Sequence, residues 1–126
     1  MIAVLASIRP DSWNFPLLLH IAGAAVFFGA LTVATVTQLG AAKVAEPQLL
    51  QRVAFRTLLI VGLPAYIVFR VGAEWIYSKE FGDSSDDPTW IGIGYGVSDI
   101  GAIVFLIALI LVGLVIAVWA MGAKPD

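Results

Sequence analysis

Three long apolar runs separated by polar intervals organise the chain. The first covers residues 16–39; at ~1.5 Å per residue it reaches about 36 Å, enough to cross a bilayer with some tilt. Pro16 suits a first helical turn, where its missing N–H loses no bond. Residues 40–51 then bring in Lys43, Glu46 and Pro47, a polar connection with a break at Gly40 and a new helix start at Pro47. The second run, residues 53–77, carries Arg56, Arg70 and Glu74 within it, and the stretch that follows, SKEFGDSSDDP, belongs in water. The third, residues 99–121, is the most hydrophobic.

Two places interrupt this pattern. Gly92, Gly94 and Gly96 weaken a helix, so residues 90–97 are expected as a separate interfacial or re-entrant piece, with Ser98 or Asp99 capping the third helix. Continuing the helix through them would make it about 50 Å long at ~1.5 Å per residue. Pro64 removes a bond to the carbonyl of Ile60 and predicts a kink beside Gly62.

Composition sharpens the class. With 126 residues, 60% of them apolar and 13% charged, and a mean hydropathy of +0.96, a water-soluble globule is excluded. The expectation is an all-α integral membrane bundle of three transmembrane helices, a single transmembrane domain over residues 1–126, with the lipid bilayer as its first partner. Residues 1–8 are apolar but lack a basic leader, and read as a short interfacial segment. Lys43, Arg52 and Arg56 cluster around the first connection, whereas Lys79 stands among acids in the second. Basic connections stay in the cytoplasm, which places the N-terminus and the acidic stretch outside and Lys124 inside. Trp13, Trp75 and Trp90 then fall at the outer interface and Trp119 at the inner one.

A net charge of −2 leaves no basis for nucleic-acid binding, and the absence of cysteine removes disulfides and thiolate chemistry. No Ser-His-Asp set, HExxH or phosphate loop is present, so no catalytic residue is assigned and the protein is read as non-enzymatic. Gly92-Ile93-Gly94-Tyr95-Gly96 bears a passing likeness to a potassium-channel filter, but the acidic, turn-rich stretch before it offers no pore helix.

The ionisable residues within the runs are the remaining signal. Counted from the outer ends of the spans, His20, Arg70, Glu74 and Asp99 fall in one layer. Arg70 and Glu74, four apart, share a helix face, and Asp99 approaches from the third helix. The first reading is architectural: the cluster staples the helices. The second is an ion or anionic-ligand site of a small transporter or sensor, with His20 titrating near neutrality. One histidine and two distant methionines leave no haem ligation, and no cofactor or metal is assigned. Small residues at Ala22, Ala25, Gly29 and Thr32, and at Gly113, Ala117 and Ala120, are expected to mark packing faces. They favour a homo-oligomer or a larger membrane complex.

Three blocks, DSWNFPLLLHIAGA, LPAYIVFRVGAEWIYSKE and PTWIGIGYGVSDIG, resemble a family of small uncharacterised bacterial membrane proteins. The Leu-His-x-x-Gly-Ala portion also looks like the opening of copper-resistance-type membrane domains, although no further His or Met ligands follow here. The resemblance implies the cytoplasmic (inner) membrane of a bacterium and carries no activity with it.

Overall fold

An apolar chain satisfies its backbone inside hydrocarbon either by helices or by a closed barrel. The computed structural model describes residues 11–82 and 87–122, and among these every regular element is helical. A 3-10 turn at Asp11–Trp13 leads into α1 (Asn14–Ala41). Then come α2 (Gln48–Arg56), a π-helical turn (Thr57–Gly62) and α3 (Leu63–Phe81), consecutive in one helical stretch, and finally α4 (Thr89–Gly122). Three stretches, Asp11–Ala41, Gln48–Phe81 and Thr89–Gly122, are long and apolar enough to cross a membrane. This is the architecture of a multi-pass membrane protein. The expected interfacial segment at residues 1–8, and Lys124, lie outside the described residues.

The helices run past the limits expected from the apolar runs, and the first connection shrinks to residues 42–47. The largest correction concerns residues 90–97, which form the opening turns of α4 instead of a separate piece. Each glycine costs a helix about 1 kcal/mol relative to alanine. The helix nevertheless continues, and its face at Tyr95, Ser98 and Asp99 meets Arg70 and Tyr66 of α3, contacts that offset the glycine cost. Ser98 and Asp99 accordingly sit inside α4 and cap nothing, which frees their side chains for other partners. Pro64 lies in the first turn of α3, directly after the π turn. The ladder widens to i→i+5 where the proline lacks its N–H, so the change of register absorbs the missing bond.

Close packing of α1 on α3 rests on a reciprocal pair of glycines. A Cβ on Gly23 would stand 2.5 Å from the backbone nitrogen of Phe69, and one on Gly72 would stand 2.5 Å from that of His20. Because His20 precedes Gly23 by three residues and Phe69 precedes Gly72 by three, each helix offers one small residue and one full residue to the other. The expected small-residue stripe is different: Ala22, Ala25, Gly29 and Thr32 are exposed, and the face that packs is Gly23, Phe27, Ala30 and Ala34. In α4, Ala117 and Ala120 are likewise exposed, whereas Gly113 receives the ring of Phe55. These positions differ from the expected faces because residue size alone does not fix the rotation of a helix; the Gly23–Gly72 contact does.

α4 is held by large side chains instead of close backbone contact. Phe105 is buried with its ring beside Gly62, edge-on to Phe27 at 5.3 Å and stacked on Tyr66 at 6.5 Å. With Ala34, Ala54, Leu58, Ala65 and Leu109 these rings make the core. Only 11% of the most apolar stretch of α4 is buried, against 22% in each of the other two.

Gly72→Ala is expected to lower stability by about 1–3 kcal/mol, because helix backbone cannot give way as a flexible side chain does. Gly29→Ala, whose new methyl meets nothing within 4 Å, should be neutral or slightly stabilising. Thermal unfolding in maltoside micelles compares the two.

Candidate functional site

The polar side chains gather at the end of the bundle where α3 finishes and α4 begins. Arg70, on α3, is their centre. Its Nε lies 3.3 Å from Glu74 Oε1, one turn further along the same helix, and its Nη1 lies 2.7 Å from Asp99 Oδ1 on α4. The same Nη1 donates to Ser98 Oγ at 3.1 Å, and the guanidinium carbon stands 4.7 Å from the centre of the Tyr95 ring. Tyr66 donates from its hydroxyl towards the Ser98 carbonyl at 3.4 Å, with Ser98 Oγ at the same distance. One cation thus joins α3 to two successive turns of α4. The planar, five-donor guanidinium allows this, whereas a lysine ammonium has neither the fork nor the flat face.

Exposure shows how this cluster meets its surroundings. The Arg70 side chain is 27% exposed, whereas Glu74 and Asp99 are 55% and 61% exposed. The carboxylates form the outer rim and the arginine lies beneath them. Two negative charges share one positive, so Arg70 has no uncompensated charge to offer an anion.

Three of the four expected residues therefore come together. His20 stands apart in its bonding: its Nδ1 lies 3.2 Å from the carbonyl oxygen of Phe69, and its ring stacks on the Phe69 ring at 4.8 Å. A carbonyl only accepts, so Nδ1 is the donor in this contact. This contact follows from the glycine pair, which brings the two helices close enough for a short side chain to reach a neighbouring backbone. Among the described residues no three His, Asp or Glu side chains converge as metal ligands.

His20 and Arg70 nevertheless share the wall of one cavity of about 310 Å³, with Tyr77, Glu80, Trp90 and Tyr95 among its other sides. Tyr77 donates to Asp87 Oδ2 at 2.7 Å and meets Tyr95 edge-on at 5.8 Å, which ties the last turns of α3 to the start of α4. Sequence reasoning missed Tyr66, Tyr95 and Ser98. The spacing of Tyr95, Ser98 and Asp99, at i, i+3 and i+4, places all three on one helical face. That signal exists only if the helix continues through the glycines.

A double-mutant cycle with Arg70→Ala and Asp99→Ala is expected to give a coupling of about 1 kcal/mol in unfolding experiments. The longer Arg70–Glu74 contact on one helix should give about 0.3–0.5 kcal/mol, as exposed i,i+4 pairs do. Arg70→Ala alone should be the most damaging single change, since it leaves both carboxylates unpaired. No family model, curated protein or solved structure matches the chain.

Proposed function

We propose that this is a non-enzymatic structural or accessory membrane protein. It lies in the cytoplasmic membrane of a bacterium with its N-terminus outside, and it works as a homo-oligomer or within a larger membrane complex. The observation that carries this reading is the contrast between its polar and apolar parts. Arg70 is engaged structurally, held by Glu74 on its own helix and joined to α4 through Asp99. The apolar length of α4 is left open, Ile103, Val104, Ile107, Ile110, Leu111 and Leu114 all being exposed. Stapling charges and an unclothed helix suit a component that docks beside other helices better than one that turns over a substrate. The open face of α1, with Ala22, Ala25, Gly29 and Thr32, lets a neighbouring helix approach closely. Orientation is supported by the basic residues around the first connection, and bacterial location by the sequence blocks that resemble small bacterial membrane proteins.

A second reading, a small transporter or sensor with an ion or anionic ligand held by His20, Arg70, Glu74 and Asp99, is favoured by the cavity beside His20 and Arg70. The pairing of Arg70 with two carboxylates argues against the anion.

Native mass spectrometry from a mild detergent is expected to show a dimer or higher species, or a stoichiometric membrane partner after gentle extraction. Monomer alone, with no partner, overturns the accessory reading. The sequence has no cysteine, so single replacements report orientation cleanly. Thr89→Cys should react with an impermeant maleimide in intact cells and Ala42→Cys only after permeabilisation; the reverse pattern inverts the topology.

A further inference from the structure

The cavity above the arginine cluster has a character of its own. Tyr77 and Phe81 of α3 and Trp90 and Tyr95 of α4 stand around it, and Glu80 contributes a carboxylate. The rings do not form a single stack: Phe81 meets Trp90 at 72° and Tyr77 meets Tyr95 at 88°, whereas Tyr77 and Phe81 lie at 33°. The face of an aromatic ring is the negative side of its quadrupole, and Arg70 already stands over that of Tyr95. Tyr77, Phe81 and Trp90 line the same space and are the rings left to draw a second cation.

Charge balance points the same way. Arg70, at the base of the cavity, is shared by Glu74 and Asp99, leaving that cluster with an excess negative charge. Glu80 adds another, and Asp87 lies beside it through its bond to Tyr77. An anion entering here would meet the Glu80 carboxylate and one fully engaged guanidinium. A cation would meet the rings of Tyr77, Phe81 and Trp90 and the same carboxylate.

Depth decides which cations are in reach. α4 has 34 residues, about 51 Å at ~1.5 Å per residue, whereas the hydrocarbon layer is about 30 Å thick and the whole bilayer about 40–45 Å. From Asp99 to Met121 the helix covers about 33 Å and carries no charged residue after Asp99. Setting that stretch in the hydrocarbon puts Arg70, Glu74 and Asp99 at its boundary and leaves the opening turns of α4, with the cavity, in the headgroup layer. Small inorganic cations keep their water shells there. An organic ammonium is weakly hydrated, and its alkyl groups fit aromatic walls. The volume, about ten waters at ~30 Å³ each, holds such a group with part of its chain.

We propose that this aromatic cavity, lined in part by Glu80, binds an organic ammonium group, supplied either by a zwitterionic lipid headgroup or by a free alkylammonium. The site goes beyond the accessory role and does not depend on it, since a scaffold and a transporter can hold the same group. Titration of benzyltrimethylammonium into the full-length protein in maltoside micelles, followed by calorimetry, tests it. Saturable binding is expected, weakened about three- to tenfold by Glu80→Gln and by Trp90→Ala. Both residues are exposed on their outer sides, so both variants are expected to keep the wild-type circular dichroism and melting behaviour. Lys79→Gln, a charge change one position away that does not line the cavity, should bind as tightly as wild type or more so. Absence of saturable binding, or wild-type affinity in both Glu80→Gln and Trp90→Ala, overturns the proposal. Repeating the titration in nanodiscs separates the sources: weaker apparent affinity in phosphatidylcholine discs than in discs of an uncharged glycolipid, which has no ammonium group and sets up no surface potential, identifies the lipid headgroup as occupant, and equal affinity identifies a free cation. Monomeric behaviour in native mass spectrometry would remove the accessory reading and leave this result untouched.

Discussion

A guanidinium at the edge of hydrocarbon must be paired, and the structure around Arg70 is organised by that requirement. The cost of leaving arginine unpaired in a transmembrane helix is about 2.5–3.5 kcal/mol on insertion scales at the centre, and less towards the interface. Glu74 on its own helix answers part of it. The rest comes from α4, where Asp99, Ser98 and Tyr95 present a carboxylate, a hydroxyl and a ring face on one side of the helix. The rotation of α4 about its axis is thereby specified at two places, by these polar contacts and by the buried ring of Phe105 against Phe27, Tyr66 and Gly62.

Two different devices therefore hold the three rods. Between α1 and α3 the instrument is absence: Gly23 and Gly72 remove side chains so that backbones meet, and His20 then reaches the Phe69 carbonyl. Between α4 and the rest it is bulk: Phe105 fills the space beside Gly62, where the π turn ends, and Phe55 fills the space beside Gly113. Close backbone packing is rigid and intolerant of added atoms. Packing through aromatic rings leaves a wider gap, and the same gap opens into an apolar groove between α1 and α4 lined by Leu31, Ala34, Gly101 and Ala108. α1 and α3 are the closely packed pair, and α4 is the least buried of the three.

Much of this was legible in the sequence. The three rods followed from apolar length alone, and the meeting of Arg70, Glu74 and Asp99 followed from counting turns inward from a common surface. His20 fell at the right height, but its bond to a backbone carbonyl was not readable, because it depends on how closely two helices approach. The errors share one physical cause. Gly92, Gly94 and Gly96 were weighed by a propensity measured where water satisfies a broken backbone. Tertiary contacts override that propensity here: Tyr95, Ser98 and Asp99 meet Arg70 together only as one helical face. With α4 starting at Asp99, Tyr95 has no helical face to share with Ser98 and Asp99, and neither the cation–π contact nor the aromatic cavity is legible in the sequence. The exposed alanines of α1 were misplaced for a related reason: a small residue permits close contact on any face, and only its partner's glycine shows which face is used.

The length of α4 that argued against a continuous helix becomes, in the structure, the feature that gives the protein a polar end. A rod of about 51 Å cannot be contained in about 30 Å of hydrocarbon. If the uncharged stretch beyond Asp99 fills the apolar layer, the carboxylates of Glu74 and Asp99 sit where water and headgroups reach them, which agrees with their half-exposed state. Arg70 then anchors a boundary, and the glycine-bearing turns above it stand clear of lipid tails. Gly92, Gly94 and Gly96 stand beside open space, and Gly94 lies in the wall of the cavity with Trp90 and Tyr95. The residues that obscure the fold from the sequence thus include one that lines the cavity where Tyr77, Trp90 and Glu80 come together.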